Sequence, residues 1–459
     1  MKYVQKISSI YVYMYRHKEI DDIMKNIDKI EDTAKEIQLN TYEPTLSERK
    51  NVYNEIIKYI KTKNRIVYGG YAQNELIRAK NKDDVFYREI DVADIEFYTP
   101  NPISDMIDLC DILYNKKFKH IDGKEGVHNE TYKIFVNFEN YCDISYLPEE
   151  IYNNCPTITL NGMRMTHPHL MLIDAYRVYC DPMNSYFRLK KTFSRFSKLI
   201  NYYPFNDNMI YNKIKYDMNH DSVDKILKFI RKHIIHNSNM IVVGHYAFNQ
   251  LMKLGKAPPT YMIECPFYQL ISTDYNKDIN MITQKLKNKY NNMNVTMKSY
   301  YPFSQFVDVS TEWYIDNELV LRVYNSYNRC IVYRKSEKKN TLFGTFQLQF
   351  LYNLIQYNMG IVRKNKFNET VYGTMLVRLL KTRDKYLDDH GISILDKSPF
   401  QEFTMKCIGE TINPMRASFL DKVEKRAKGK QSTFLYKPKG SPGKKPNFHF
   451  DNTSGNIKK

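Results

Sequence analysis

Apolar positions along the chain fall into alternating helical and strand-like runs. From Glu19 to Leu39, Ile20, Ile23, Ile27, Ile30 and Ile37 recur at near-helical spacing. Tyr42-Glu43-Pro44 ends that run. Thr45-Leu46-Ser47-Glu48 then supplies a capping-box pattern ahead of Val52, Ile56, Ile57 and Ile60 on one face. Arg65 to Tyr68 reads as a strand, Gly69-Gly70 as a tight turn, and Tyr71 to Lys80 as a helix. Ile90 to Thr99 reads as a strand, Ile103 to Tyr114 as a helix, and Thr131 to Phe138 and Tyr141 to Leu147 as strands. Thr157 to Met165 forms a hairpin turning at Asn161-Gly162. Helices are expected over Pro168–Val178 and Ser185–Ile200.

The segment from Ile66 to Ile77 recurs at Ile241 to Met252, with seven of twelve positions identical and a helical pattern ahead of each copy. Such self-similarity with matching flanks reads as a duplicated α/β unit. Extending it sets Phe267 on Asp94 and Gln269 on Glu96, and a looser alignment sets Arg322 near Asp143. Phe and Gln cannot hold a divalent cation, so the second copy keeps a scaffold without the first copy's chemistry. The expected fold is α+β with four parts. These are an N-terminal helical segment (1–48), a catalytic domain (49–205), a degenerate domain of the same kind (206–421) and a disordered basic tail (422–459).

The chemistry concentrates in the first copy. Asp94 and Glu96 share one face of a strand, which is costly unless a cation sits between them, and hard divalent ions such as Mg²⁺ are the usual partner. Gly69 and Gly70 lie between a strand and a helix N-terminus, where backbone N–H groups can approach a phosphate. Asp143, alternating with the apolar Cys142 and Ile144, would join the pair if its strand lies alongside. Arg188, Lys191, Arg195 and Lys198 form one face of the Ser185 helix, with Leu189, Phe193, Phe196 and Ile200 on the other. His167 and His169 flank a helix-starting Pro, with no carboxylate or Cys at ligand spacing, and are read as structural.

Composition adds charge. The 459 residues carry 69 Lys/Arg against 51 Asp/Glu, a net of +18. Residues 422–459 hold +9 of it in a Lys-, Gly-, Pro- and Ser-rich stretch that points to a polyanion partner, nucleic acid first. No run approaches the ~18 consecutive apolar residues of a membrane span, and the N-terminus lacks the apolar core of a secretory signal. Seven scattered Cys with no CxxC pair argue against a disulfide framework and fit a reducing compartment.

The order strand, Gly-Gly, helix, Asp94-Ile95-Glu96, then a lone Asp143 resembles the nucleotidyltransferase superfamily related to DNA polymerase beta. The blocks Val67-Tyr68-Gly69-Gly70, Glu89 to Pro102, Tyr141 to Tyr146, Thr166 to His169 and Ser185 to Lys191 with Arg195 narrow it. They resemble the poly(A) polymerase catalytic subunits of poxviruses and, more closely, of mimivirus-like giant viruses. That resemblance implies transfer of AMP from ATP to an RNA 3′-hydroxyl without a template, releasing pyrophosphate. It implies two Mg²⁺ (or Mn²⁺) held by Asp94, Glu96 and Asp143, and nucleotide contacts from Gly69, Gly70, Arg188, Lys190, Lys191 and Arg195. It further implies a homodimer acting in the virion and host cytoplasm. Competing readings are a tRNA-tailing or oligonucleotide-synthetase type nucleotidyltransferase, a non-catalytic RNA-binding scaffold, and a small-molecule adenylyltransferase. The intact carboxylates speak against the scaffold; size and the basic tail speak against the last.

Overall fold

The computed structural model describes residues 14–441 except 89–90, 127–129, 212–213, 219, 305–306, 327–328, 337–339, 410–413 and 431–433, together with 449–450 and 457–458. Two eight-stranded mixed sheets organise the chain. The first uses β1 (Ile66–Tyr68), β2 (Ile95–Thr99), β3 (Asp122–Glu125), β4 (Thr131–Val136), β5 (Glu139–Tyr146), β6 (Thr157–Leu160) and β7 (Met163–Thr166). The second uses β8 (Ile241–Val243), β9 (Tyr268–Ser272), β10 (Val295–Tyr300), β11 (Ser310–Ile315), β12 (Glu318–Asn325), β13 (Ile331–Lys335), β14 (Leu342–Gly344) and β15 (Cys407–Ile408). A late strand, β16 (Leu435–Tyr436), completes the first sheet.

The strand order in the first sheet is β16-β3-β4-β5-β2-β1-β7-β6, and in the second β10-β11-β12-β9-β8-β14-β13-β15. Apart from the added edges β16 and β15, the two orders run parallel: β5-β2-β1-β7-β6 against β12-β9-β8-β14-β13. Registers agree as well. Tyr68 pairs with Glu96 and Glu96 with Asp143 in the first sheet; Val243 pairs with Gln269 and Gln269 with Arg322 in the second. In each sheet the central strand turns into a helix at a glycine in the left-handed region, Gly69 (φ 69°) and Gly244 (φ 70°). A Cβ at either would overlap the side chain of Glu96 or Gln269 respectively, so the position requires glycine.

Burial follows the alternation. Ile66, Val67, Ile95, Phe97, Cys142 and Ile144 are buried in the first sheet, and Ile241, Val242, Leu270, Leu321 and Val323 in the second. The capping box forms: the Thr45 hydroxyl accepts from the Glu48 N–H, and the Thr45 N–H donates to the Glu48 carboxylate at 2.7 Å. The hairpin turns at Asn161 (φ 52°) and Gly162 (φ 73°). Helix Phe346–Val362 packs against helix Pro168–Tyr179, with the Tyr176 and Phe350 rings 4.6 Å apart, so one apolar core spans both lobes. No helix among the described residues is long and apolar enough to cross a membrane.

Four expectations change. The strand expected from Ile90 begins at Ile95, because Asp91 closes a turn by accepting from the Arg88 N–H at 2.9 Å, and the Ala93 N–H donates to the Asp91 carbonyl. Ile90, the first residue of that expected strand, lies outside the described ones. Phe138 leaves the strand for an exposed turn at φ 67°. Cys330 and Cys407 form a disulfide joining β13 to β15, contrary to the reading of the scattered cysteines; the other five are free. The basic tail is ordered over part of its length. Helix Pro414–Ala427 crosses residue 422, and Phe434-Leu435-Tyr436 returns to the first sheet, where β16 pairs with β3. Phe434 is buried, meeting the Tyr132 ring edge-on, and the Tyr436 hydroxyl donates to Asp111 at 2.7 Å. Three apolar residues in a basic stretch suffice to anchor it, a signal that average composition hides.

Candidate active site

The site is built at the end of β1, where the chain turns through Gly69-Gly70 into helix Gly69–Arg78. Glu96, beside it on β2, accepts the Gly70 N–H at 2.7 Å. Asp94 sits just ahead of β2, not within it. Asp143 lies on β5, which runs parallel to β2 with Glu96 and Asp143 as register partners. One amide ties the group together: Asn140 Nδ2 donates to Asp94 Oδ2 at 3.3 Å and to Asp143 Oδ1 at 3.0 Å. The Asn140 Oδ1 is buried with no hydrogen-bond partner.

Burial first, and then the charges of Asp94 and Asp143, push the Glu96 carboxyl up to about 7, against the pull of the Gly70 N–H. A cluster of carboxylates that holds a proton this far above the ordinary carboxylate range favours an added cation. Three acidic side chains and a spare amide oxygen are the hard oxygen donors that Mg²⁺ or Mn²⁺ takes. The residues therefore fit the implied metal, although among the described residues no three acidic, His or Cys side chains already stand in a metal-holding arrangement. The reason is visible: Glu96 is drawn to Gly70, and Asp143 is engaged by the Lys133 ammonium at 2.7 and 2.5 Å.

Aromatic and basic groups close over the turn. A Cβ at Gly70 would lie 2.6 Å from the Tyr87 hydroxyl and 2.9 Å from Arg195 Nη1. The Arg195 guanidinium stands 4.3 Å from the Phe86 ring centre and 4.9 Å from that of Tyr87. Asn74 fixes this segment, its Oδ1 accepting from the Phe86 and Tyr87 N–H groups at 3.0 and 2.9 Å. Ion pairs Lys35–Asp91 and Arg88–Asp32 bind helix His17–Thr41 to the same segment. Between them lies a cavity of about 400 Å³ lined by Lys35, Leu39, Arg49, Phe86, Tyr87 and Asp91.

The sequence-derived residues divide. Gly69, Gly70, Asp94, Glu96 and Asp143 come to one end of the sheet, and Arg195 reaches it from helix Pro182–Tyr202. Arg188, Lys190 and Lys191 are exposed on that helix nearer its start. Lys198 is spent on the Asp84 carbonyl at 3.0 Å. On the apolar side Phe196 and Leu199 are buried, whereas Phe193 is half exposed. His167 and His169 are structural: His167 Nδ1 accepts the His169 N–H, and His169 Nε2 meets the Tyr203 carbonyl at 3.0 Å. Sequence reasoning passed over Lys133, Asn140 and Tyr87. A lone Lys between Tyr132 and Ile134 in an apolar strand was a usable signal, but its pairing with Asp143 depends on a register that sequence leaves open.

The equivalent end of the second sheet is filled. Gln269 Oε1 accepts from the Tyr324 hydroxyl at 2.9 Å, and its Nε2 meets Tyr372 and His245 at 3.2 and 3.3 Å. Arg322 Nε donates to Glu312 at 2.6 Å, and Nη1 to Gln356 at 3.0 Å. The guanidinium stands where Asp143 stands in the first sheet by register.

Comparison with known proteins gives the same direction. Residues 54–185 match a family model described as "Poly(A) polymerase catalytic subunit". Residues 197–459 match one described as "APMV, Putative poly(A) polymerase, catalytic subunit, C-terminal". The chain is 31% identical over 466 residues to the "Putative poly(A) polymerase catalytic subunit" of Acanthamoeba polyphaga mimivirus, covering 90% of this chain and 78% of the relative. A protein of the same name from African swine fever virus (strain Badajoz 1971 Vero-adapted) is 29% identical over 157 residues, a third of each chain. The crystal structure of the Megavirus polyadenylate synthase superposes with a TM-score of 0.89 at 30% identity, over 98% of this chain and 94% of that one. With a site of this construction and likeness along nearly its whole length, the chain belongs to the viral poly(A) polymerase catalytic subunit family and is a polynucleotide adenylyltransferase.

Proposed function

We propose that the first lobe alone carries the chemistry of polyadenylation, with Asp94, Glu96 and Asp143 holding two divalent cations where the start of β2 lies beside β5. The observation behind this is the convergence of those carboxylates at the Gly69-Gly70 turn, with Glu96 raised to about 7 by burial and by its neighbours. Bound cations would supply a lowered pKa at the RNA 3′-hydroxyl and charge neutralisation at the triphosphate. The chain's own part is positional. Gly69 lets the backbone turn so closely that Gly70 N–H faces the site, at a helix N-terminus whose dipole favours phosphate. Arg195, held against Phe86 and Tyr87, presents positive charge beside that turn. Attack at the α-phosphate then depends on alignment and electrostatics more than on any covalent partner. Arg188, Lys190 and Lys191 continue the basic face toward solvent and suit the RNA or the outer phosphates.

The second lobe is a degenerate duplicate of the first. Equal strand order, equal register and matching left-handed glycines support this reading. The protein works as a homodimer on RNA in the virion and host cytoplasm. The exposed apolar row Ile20, Ile23, Met24, Ile30 and Ile37 on helix His17–Thr41 is a surface suited to self-association. Light scattering at micromolar concentration should give twice the 54.8 kDa chain mass; a monomer mass would remove the dimer. The activity is tested with a labelled oligo(A)-ended RNA, Mg²⁺ or Mn²⁺, and each NTP separately. Long products with ATP alone are expected; equal use of CTP and UTP would favour a general tailing enzyme.

A further inference from the structure

Asp143, one of the three carboxylates of the proposed cation site, is already taken. Lys133 lies directly opposite it across the β4–β5 ladder, so the pairing is set by backbone register and not by a chance rotamer. Its ammonium contacts both oxygens, Oδ1 at 2.7 Å and Oδ2 at 2.5 Å, and Asn140 adds a third hydrogen bond to the carboxylate, at Oδ1. The pair is largely shielded, with side-chain exposures of 28% for Lys133 and 14% for Asp143. Water screens it less than it would a surface pair. Asp143 therefore has little free acceptor capacity facing the site.

We infer that Lys133 is an internal counter-cation that holds Asp143 in the metal-free enzyme and competes with the divalent ion for it. This rests on the reading of Asp94, Glu96 and Asp143 as the cation-holding group. Two observations favour the role over a plain structural ion pair. The first is place: among the described residues, Lys133 is the cation in direct contact with this group of carboxylates, at the sheet end where an added cation would sit. The second is contrast. In the second sheet, Arg322 takes the register position of Asp143 and pairs with Glu312 on the neighbouring strand β11. There the built-in cation is embedded in hydrogen bonds to Glu312, Tyr324 and Gln356 and nothing is left to exchange. Among the described residues the Lys133 ammonium is hydrogen-bonded to Asp143 alone, at the end of a flexible stem, so it can let go.

The device has a cost and a use. Without metal it offsets the charge of Asp143 at a buried sheet end. With metal it must withdraw, which weakens apparent affinity and leaves a freed ammonium at the edge of the site.

The test is a Mn²⁺ titration of the full chain, without RNA or ATP, followed by electron paramagnetic resonance or calorimetry. Lys133→Met should bind Mn²⁺ about tenfold more tightly than the unsubstituted chain, the scale of a lost charge-assisted hydrogen bond. Lys133→Arg should bind with unchanged or weaker affinity. Thermal unfolding supplies a second readout. In chelator, Lys133→Met should melt lower, and Mg²⁺ should raise its melting temperature by more than it raises the parent's. Lys133→Gln, which keeps a donor to Asp143, serves if the Met variant does not fold. Unchanged or weaker Mn²⁺ binding by the neutral variants overturns the inference. Asp143→Asn separates the two levels: if it binds Mn²⁺ as the parent does, the cation-site reading itself fails, whereas loss there with no gain in Lys133→Met sinks the role of Lys133 alone.

Discussion

The two sheets make the same backbone arrangement and put different chemistry at the same address. In the first, the β2–β5 ladder brings Glu96 opposite Asp143, and the carboxylates stay in tension, eased by an amide, a lysine and one backbone N–H. In the second, the β9–β12 ladder brings Gln269 opposite Arg322, and every neighbour is a fitted partner: Tyr324, Tyr372, His245, Glu312 and Gln356. On the proposed reading the first end awaits a cation, whereas the second is closed by its own side chains. A scaffold that positions a site thus also serves, with Gln269 in place of Glu96 and Arg322 in place of Asp143 among its side-chain changes, as a structural joint. On the proposed reading, stability is the gain in one lobe and reactivity in the other.

The comparison is broken most severely at the carboxylates. Asp94→Asn should lower single-turnover AMP addition by about a thousandfold, the scale at which loss of a metal-holding or charge-stabilising group is felt, with the fold retained by circular dichroism. Removing the buried cation of the closed lobe should instead cost stability. Arg322→Met leaves Glu312 buried without its partner, and urea unfolding should show a loss of about 3–5 kcal/mol. The turnover of the molecules that remain folded should change little. If Arg322→Met abolished turnover while leaving stability intact, the second lobe would have a direct part in the reaction.

A smaller effect is expected where the tail docks. Deleting residues 434–459 removes Phe434 from its place against Tyr132 and the bond from Tyr436 to Asp111. Stability should fall by about 2 kcal/mol, the value of one large buried apolar side chain, and RNA affinity should become less sensitive to salt as fewer counterions are released. Unchanged salt dependence would make the tail a solubilising element only.

The smallest effect is a pH dependence. Burial, and then the charge of Arg322, hold the His245 imidazole down at about 3 in the folded chain, against an unfolded value of 6.5. The folded form gains nothing from protonation there, whereas the unfolded form does. Stability from His245 is complete above about 6.5 and declines as pH falls toward 3. Between pH 7.5 and 5.5 the parent should lose about 1 kcal/mol more than His245→Gln does. Equal losses would place the acid sensitivity elsewhere.

Much of this architecture was legible in the chain itself. Period-2 and near-helical patterning located β1, the helix after Gly69-Gly70 and the Asn161-Gly162 hairpin, because local backbone chemistry decides those elements. The internal repeat set Gln269 at the position of Glu96, and the structure puts both against the left-handed glycine of their own copy, Gly244 and Gly69. What escaped depends on distance in sequence. Lys133 reaches Asp143 only through a strand register, Phe434 finds Tyr132 across some 300 residues, and Cys330 meets Cys407 only once β15 joins β13. Asp94 reads as part of a strand because apolar residues flank it on both sides, Val92 and Ala93 before it and Ile95 after it; the Asp91 turn, a side-chain-to-backbone bond, overrides that pattern.

The central claim, that metal chemistry belongs to one of two like-built sheets, is tested most directly by counting bound Mn²⁺ per chain with a non-hydrolysable ATP analogue present. The unsubstituted chain and Gln269→Leu should each hold two ions per chain, while Asp94→Asn and Asp143→Asn should lose them. Retention of both ions by the Asp variants, or their loss in Gln269→Leu, would contradict the account.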